Sequence, residues 1–281
     1  MESGDPLVTA EWLKQNLSSP DLRIVDATWV PPFLVGRKSG RECYDEGHIP
    51  GAIYFDIDDI ADPNTELSHM LPDPSLFSAK VGALGLGDGY RIIVYDSNGF
   101  FASARVWWMF RAMGHTDIKV LDGGLKAWEA VGGKIEDLSS PRAERFFTPR
   151  HRPALVRSMD QMRRHVAASD LTILDARDQG RFDGTAPEPR KGLPSGHMPG
   201  SACVPTSGLM NPDGTMKSAE VLNDSLGAFT SGPVVTTCGS GVSAAVITLA
   251  LARLGHWEAA VYDGSWSEWA ADPANPIATA P

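Results

Sequence analysis

The run Thr237-Cys238-Gly239-Ser240-Gly241-Val242-Ser243 surrounds one thiol with two glycines and three hydroxyl side chains. A thiolate attacks electrophiles and a thiol does so poorly, so the chemistry on offer is covalent attack by sulfur in a setting that favours the anion. Gly239 and Gly241 let the backbone curl and turn its amides inward. Val242 and Ser243 complete the curl, and the same amides suit a persulfide, which is also an anion. A cysteine buried as a small hydrophobe needs no such neighbours. Cys238 is therefore expected to be the catalytic nucleophile, with Gly239, Gly241, Val242 and Ser243 forming the cradle that receives the substrate.

Two familiar thiol chemistries are excluded by spacing. A phosphatase loop needs a guanidinium six residues after the cysteine to clamp phosphate, and that position is Ala244. A papain-like site needs a His and an Asn on a different fold. The other two cysteines are widely spaced. Cys203 sits in an apolar strand pattern and is expected to be inert; Cys43 reads as an incidental surface thiol in a polar loop. Three cysteines without a Cys-x-x-Cys or Cys/His spacing imply no disulfide framework, no metal and a reducing compartment. No organic cofactor is implied either.

The loop must be held by its flanks. Residues 233–237 form a buried-strand pattern and residues 244–251 a helix pattern, so Cys238 opens a strand-to-helix loop. Sites in open α/β sheets lie beyond the carboxyl ends of strands. The helix that follows adds free N–H groups and the positive end of its dipole.

The same framework occurs twice. Val25-Asp26-Ala27 is echoed by Leu174-Asp175-Ala176, and Gly47-His48-Ile49-Pro50-Gly51 by Gly196-His197-Met198-Pro199-Gly200, both 149 residues on. Gly114-His115, Asp122-Gly123 and Trp128 recur 141 residues on, as Gly255-His256, Asp263-Gly264 and Trp269. Strand patterns at 23–26, 52–55, 91–95 and 119–121 recur at 171–174, 202–204, 233–236 and 260–262. Helical patterns at 10–17, 78–84, 103–113 and 125–131 recur at 158–168, 218–229 and 243–254. Alternating strands and helices predict an α/β fold: two homologous domains, each a mostly parallel sheet with helices on both faces. The expected division is a non-catalytic copy at 1–138, an aperiodic linker at 139–153 and a catalytic copy at 154–281. At the later offset Cys238 corresponds to Ser97, so the first copy has the scaffold without the nucleophile. His48 and His197 recur in both copies, which argues for a structural turn. Asp26, Asp175 and Arg177 follow strands and are expected to brace loops. Trp107, Trp108, Trp128, Trp266 and Trp269 are expected in the core.

The chain has 281 residues, 42% hydrophobic and 21% charged, with a net charge of −10. That balance suits two packed domains and repels nucleic acid and anionic membranes. No apolar run approaches the ~18 residues of a membrane span, and no leader pattern opens the chain. The expectation is a cytoplasmic monomer.

The duplicated unit and the Cys238-Gly239-Ser240-Gly241-Val242 loop resemble the rhodanese superfamily, and most closely its tandem-domain 3-mercaptopyruvate sulfurtransferases. Phe55-Asp56-Ile57-Asp58, His69-Met70-Leu71-Pro72, Glu188-Pro189-Arg190 and Tyr262-Asp263-Gly264-Ser265-Trp266 share in the likeness. Thiosulfate-cleaving relatives carry an Arg-Lys pair directly after the cysteine; here Gly239-Ser240 stands there. Ser243 replaces the Thr usual in mercaptopyruvate enzymes.

The resemblance implies a two-step sulfur transfer from 3-mercaptopyruvate through a Cys238 persulfide to a thiol, thioredoxin or cyanide acceptor, with pyruvate released. It implies that Arg181 and Arg190, which bracket a Pro- and Gly-rich loop, bind the substrate carboxylate and ketone, a task suited to guanidinium forks. It also implies that Ser240 joins Asp58 and His69 in a proton relay at the domain interface. The alternatives are a thiosulfate sulfurtransferase and a persulfide carrier or redox-sensing module, which would have no use for a small-anion pocket.

Overall fold

In the computed structural model, which describes residues 4–138 and 142–280, the apolar runs form two five-stranded sheets. The first contains β1 (Leu7–Val8), β2 (Leu22–Asp26), β3 (Ile53–Tyr54), β4 (Arg91–Tyr95) and β5 (Ile118–Leu121), in the order β1-β5-β4-β2-β3. The second contains β6 (Val156–Arg157), β7 (Thr172–Asp175), β8 (Ser201–Cys203), β9 (Val234–Thr237) and β10 (Ala260–Tyr262), in the order β6-β10-β9-β7-β8. Every pairing is parallel, and the registers match: Asp26 lies opposite Tyr95, and Asp175 opposite Thr237. The edge strands β1 and β6 were not anticipated. Two residues are too few to show a period, and only pairing with β5 and β10 makes them strands.

Both faces of each sheet are covered. In β4, Ile92 and Val94 enter one core while Ile93 and Tyr95 enter another with Leu13 and Trp128. The second sheet divides the same way, Leu174 and Val261 on one side, Ile173 and Tyr262 on the other with Trp266 and Trp269. The helices are α1 (Ala10–Asn16), α2 (Gly40–Glu46), α3 (Pro74–Ala83), α4 (Ser103–Ala112), α5 (Gly124–Ala130), α6 (Met159–Ala168), α7 (Gln179–Asp183), α8 (Ala219–Leu226), α9 (Ala244–Arg253) and α10 (Ser265–Trp269).

The two sheets share one core because α4 and α9 pack against each other between them. Every residue of α4 is buried, as a helix enclosed on all sides requires. The five tryptophans expected in the core are all there. Truncating such a ring costs roughly 3–5 kcal/mol.

Three short helices escaped the periodic reading: α2, α7 and α10. Five to seven residues carry less than two turns of pattern, and their local signals are caps, such as the Ser39/Glu42 capping box of α2. Cys43 accordingly lies on α2, partly buried, rather than in a loop. α3 starts four residues before its apolar pattern, at Pro74, with Asp73 accepting from the amides of Ser75 and Leu76. Residues 139–141 of the expected linker lie outside the described residues. The remainder, 142–153, follows the first domain: Arg145 donates its amide to Gly82, and Arg150 and Arg152 to Met113 and Ala112. No helix among the described residues is long and apolar enough to cross a membrane.

Candidate active site

The Cys238 loop is an arc from the end of β9 to the first turn of α9. Gly241 at its centre has φ +79°, and a Cβ there would lie 2.5 Å from the carbonyl oxygen of Asp263, so only glycine fits. Cys238 is 2% exposed. Its amide donates to Ser265 Oγ (3.2 Å), and its carbonyl accepts the amide of Trp266 (3.0 Å). The Gly239 carbonyl accepts both the amide (2.9 Å) and the hydroxyl (2.6 Å) of Ser267. Thus α10, the helix hidden from the sequence pattern, clamps the outer side of the loop. Among the described residues, the amides of 239–244 have no protein acceptor. They line the inside of the arc at the start of α9, where an anion is favoured.

Two guanidinium groups stand over this arc. A Cβ on Gly239 would sit 3.1 Å from Arg181 Nη2 and 3.3 Å from Arg190 Nη1. Arg181 lies on α7, so the segment after it is helical through Asp183 and becomes a loop only at Gly184. Its Nη2 contacts Glu188 Oε2 at 2.6 Å. Glu188 is itself buried and held by Arg177 Nη1 at 2.7 Å, while Arg177 grips Asp175 at 2.6 Å. Arg177 and Asp175 therefore brace the loop, as expected of residues after a strand. Arg190 has no hydrogen-bond or ion-pair partner among the described residues. Burial lowers its pKa, Cys238 opposes that, and the neighbouring Arg181 lowers it further. A half-buried guanidinium left unpaired beside a thiol is a receptor for an anion.

The first domain supplies the opposite wall. A small cavity of about 80 Å³ is bounded by Cys238, Ser240 and the two arginines on one side and by Trp29, Phe33 and Phe101 on the other. Trp29 and Phe101 stack at 5.7 Å. Trp29 also donates its indole N–H to Asp58 Oδ2 (2.7 Å) and meets the His69 ring edge-on at 4.8 Å.

Asp58 and His69 are brought together: His69 Nδ1 lies 2.5 Å from Asp58 Oδ1, close but poorly aligned for a hydrogen bond. Burial pushes the Asp58 carboxyl up, but the close His69 ring and the Trp29 hydrogen bond outweigh it and hold the group below the ordinary aspartate value. His69 is buried with φ 63°, and its Nε2 has no hydrogen-bond partner among the described residues. Ser240 lines the cavity, yet among the described residues no hydrogen bond joins it to His69 or Asp58. The relay expected from the resemblance is thus assembled at its Asp58–His69 end and open at Ser240.

The remaining candidates lie away from this chemistry. His48 stacks on Tyr44 and its Nδ1 contacts the Tyr44 carbonyl; His197 does the same with Phe182. Recurrence in both copies correctly marked them as turn braces. Burial and Asp175 push the Cys203 thiol up to about 11, so it is a poor nucleophile. Sequence reasoning passed over Trp29 and Ser267 and gave Glu188 and Ser265 no role beyond their place in the shared stretches. Glu188 had a signal in its place between two arginines; the serines had none, because their partners are backbone atoms of a distant loop.

Comparison with known proteins agrees with this geometry. A family model described as a rhodanese-like domain matches residues 9–131 and again residues 158–272. The chain is 39% identical to thiosulfate/3-mercaptopyruvate sulfurtransferase 1, mitochondrial, of Arabidopsis thaliana, over 99% of this chain and 79% of the plant protein. It is 38% identical to 3-mercaptopyruvate sulfurtransferase of Rattus norvegicus, over 94% of this chain and 91% of the rat protein. The crystal structure of SseA from Escherichia coli superposes with a TM-score of 0.85 at 32% identity, covering 94% of this chain and 99% of that one.

Proposed function

The chain belongs to the rhodanese family, and from that premise we propose that it is a 3-mercaptopyruvate sulfurtransferase with a non-catalytic domain at 1–138 and a catalytic one at 154–281. The observation that carries the reading is the unpaired Arg190 beside Cys238, with Arg181 next to it. A keto acid offers a carboxylate and a carbonyl oxygen to such a pair. A persulfide carrier would gain nothing from an anion receptor over its sulfur. The name of the rat relative supports the same donor, and that of the plant relative carries thiosulfate beside it.

The Cys238 thiolate attacks the sulfur of 3-mercaptopyruvate. The new S–S bond forms as the C–S bond breaks, and its electron pair leaves on carbon as the enolate of pyruvate. The cradle of amides at residues 239–244 receives the charge of the Cys238 persulfide. The enolate needs a proton, for which Asp58, His69 and Ser240 are the nearest set of groups. An acceptor thiolate then attacks the outer sulfur and Cys238 leaves as thiolate, which splits one transfer into two steps.

Thiosulfate is the competing donor, and Gly239-Ser240 speaks against it. No cationic side chain follows the nucleophile to meet a second negative charge. Steady-state assays of both donors side by side test this: kcat/KM for 3-mercaptopyruvate is expected to exceed that for thiosulfate by about 100-fold or more, the difference of two charge-assisted contacts. Equal or reversed preference assigns the chain to thiosulfate.

A further inference from the structure

Arg105 is an arginine in a helix with no exposed face. It lies in α4 of the first domain and is completely buried. Its guanidinium sits 4.4 Å over the Trp108 ring. Nη1 donates to Asp263 Oδ1 (2.5 Å) and to the Gly241 carbonyl (3.2 Å), both in the second domain, and Nη2 donates to the His69 carbonyl. The other oxygen of Asp263 accepts the amide of Leu71 at 2.6 Å. One ion pair therefore holds the His69 carbonyl and the Leu71 amide and, on the same guanidinium, the centre of the Cys238 loop. His69 itself is in the left-handed region, a conformation that persists only where its surroundings impose it.

A buried ion pair is a poor way to gain stability, because two charges lose their water. Its geometric value is easier to see against the duplicate. The counterpart of Asp263 is Asp122, which keeps the equivalent tie: its Oδ1 accepts the amide of Met216, across the domain boundary, at 2.8 Å. The counterpart of Arg105 is Val246. Arg253, at the far end of α9, holds the Met216 and Lys217 carbonyls and pairs with Asp5. Thus both halves have the carboxylate-to-amide tie. The guanidinium that adds the nucleophile loop to it stands only on the side with Cys238.

We infer that Arg105 and Asp263 are positioning residues, an interdomain clasp that sets His69 against the Cys238 loop for protonation of the departing enolate. The inference rests on the proposed persulfide chemistry. The test uses the full chain and measures single-turnover pyruvate release and persulfide mass with 3-mercaptopyruvate. Arg105→Lys keeps the charge and loses the fork; Asp263→Asn keeps the shape and loses the charge. Near-UV circular dichroism establishes that each variant is folded, and Arg105→Met replaces any that is not.

Each variant is expected to slow the first half-reaction by about 10- to 100-fold, the scale of a misplaced catalytic group, with donor KM nearly unchanged. In a His69→Ala background the same substitutions are expected to cost less than about threefold, since the group they position is gone. Full loss in that background, or an effect on KM alone, overturns the clasp. Failure of the unmodified protein to form a persulfide on Cys238 overturns the underlying chemistry, and the clasp with it.

Discussion

Residues 96–103 and 238–244 are the same loop in the two domains, and they treat negative charge in opposite ways. The strand registers, Asp26 opposite Tyr95 and Asp175 opposite Thr237, set Asp96 where the second domain has Cys238. Its carboxylate accepts the amides of Asn98 (3.3 Å), Ala102 (3.1 Å) and Ser103 (2.8 Å). In the second domain the amides of residues 239–244 have no protein acceptor among the described residues. The first loop has filled its own cradle with a fixed anion, and burial pushes that carboxyl up while the amides oppose it. The second keeps the cradle for an anion that comes and goes. The first loop is not idle, however. Its Phe101 forms a wall of the Cys238 cavity, so the loop without a thiol contributes shape to the other.

The sharpest way to break this contrast is to move the thiol. Cys238→Ser is expected to abolish turnover, by on the order of 10⁴-fold or more, and to remove the added sulfur from the intact mass. Adding Ser97→Cys to that variant should restore neither, because Asp96 occupies the amides a persulfide would use. A persulfide on the transplanted thiol would show that the cradle is not what separates the loops.

Filling the active cradle is the converse experiment. Cys238→Asp is expected to bring a carboxylate to the amides of residues 239–244, as Asp96 does in its own loop, and so to raise Tm above that of Cys238→Ser by about 2–4 °C, the shift that one net hydrogen bond gives in a chain of this size. Equal Tm values would mean that the amides contribute little.

The two arginines allow a finer division. Arg190→Ala should raise donor KM by about 10- to 100-fold with kcat little changed, as loss of a charge-assisted contact does. Arg181→Ala should do less, because Glu188 already holds that guanidinium. A fall in kcat alone would place Arg190 in the chemical step.

The smallest effect concerns Asp58, whose folded-state pKa is depressed. Such a group stabilises the fold above its unfolded value, near 3.8, and the contribution disappears as pH falls through the lower folded value. Asp58→Asn should therefore lower Tm slightly at neutral pH and make no difference well below pH 3.8. The side chain is 47% exposed, so screening keeps the effect small. A Tm difference that persisted in strong acid would exclude linkage to this carboxyl.

The fold was legible because its signals are periodic or repeated. Runs such as Ile92-Ile93-Val94-Tyr95 are apolar on both faces, which only a covered parallel strand tolerates. The duplication supplied the domain pairing, but its 141-residue offset set Cys238 against Ser97, whereas the strand registers set it against Asp96, because the first loop is one residue longer before its helix. Arg190 was legible as a cation beside a Pro- and Gly-rich loop. The short helices were not, since a turn of helix has no period to read, and with α10 went the serines that clamp the nucleophile loop.

By itself, then, the sequence determined the duplicated α/β framework, the thiol and the glycines that let its loop curl, because these depend on neighbours along the chain. Tertiary structure alone decided which side chains complete the site. Trp29 and Phe101, which wall the Cys238 cavity, and Arg105, which reaches Gly241, come from the first domain and are placed there because α4 and α9 pack together between the sheets. Contacts between residues more than a hundred positions apart leave no local pattern, and Arg105 shows only as a charge in an apolar helix until Asp263 and Gly241 are placed beside it.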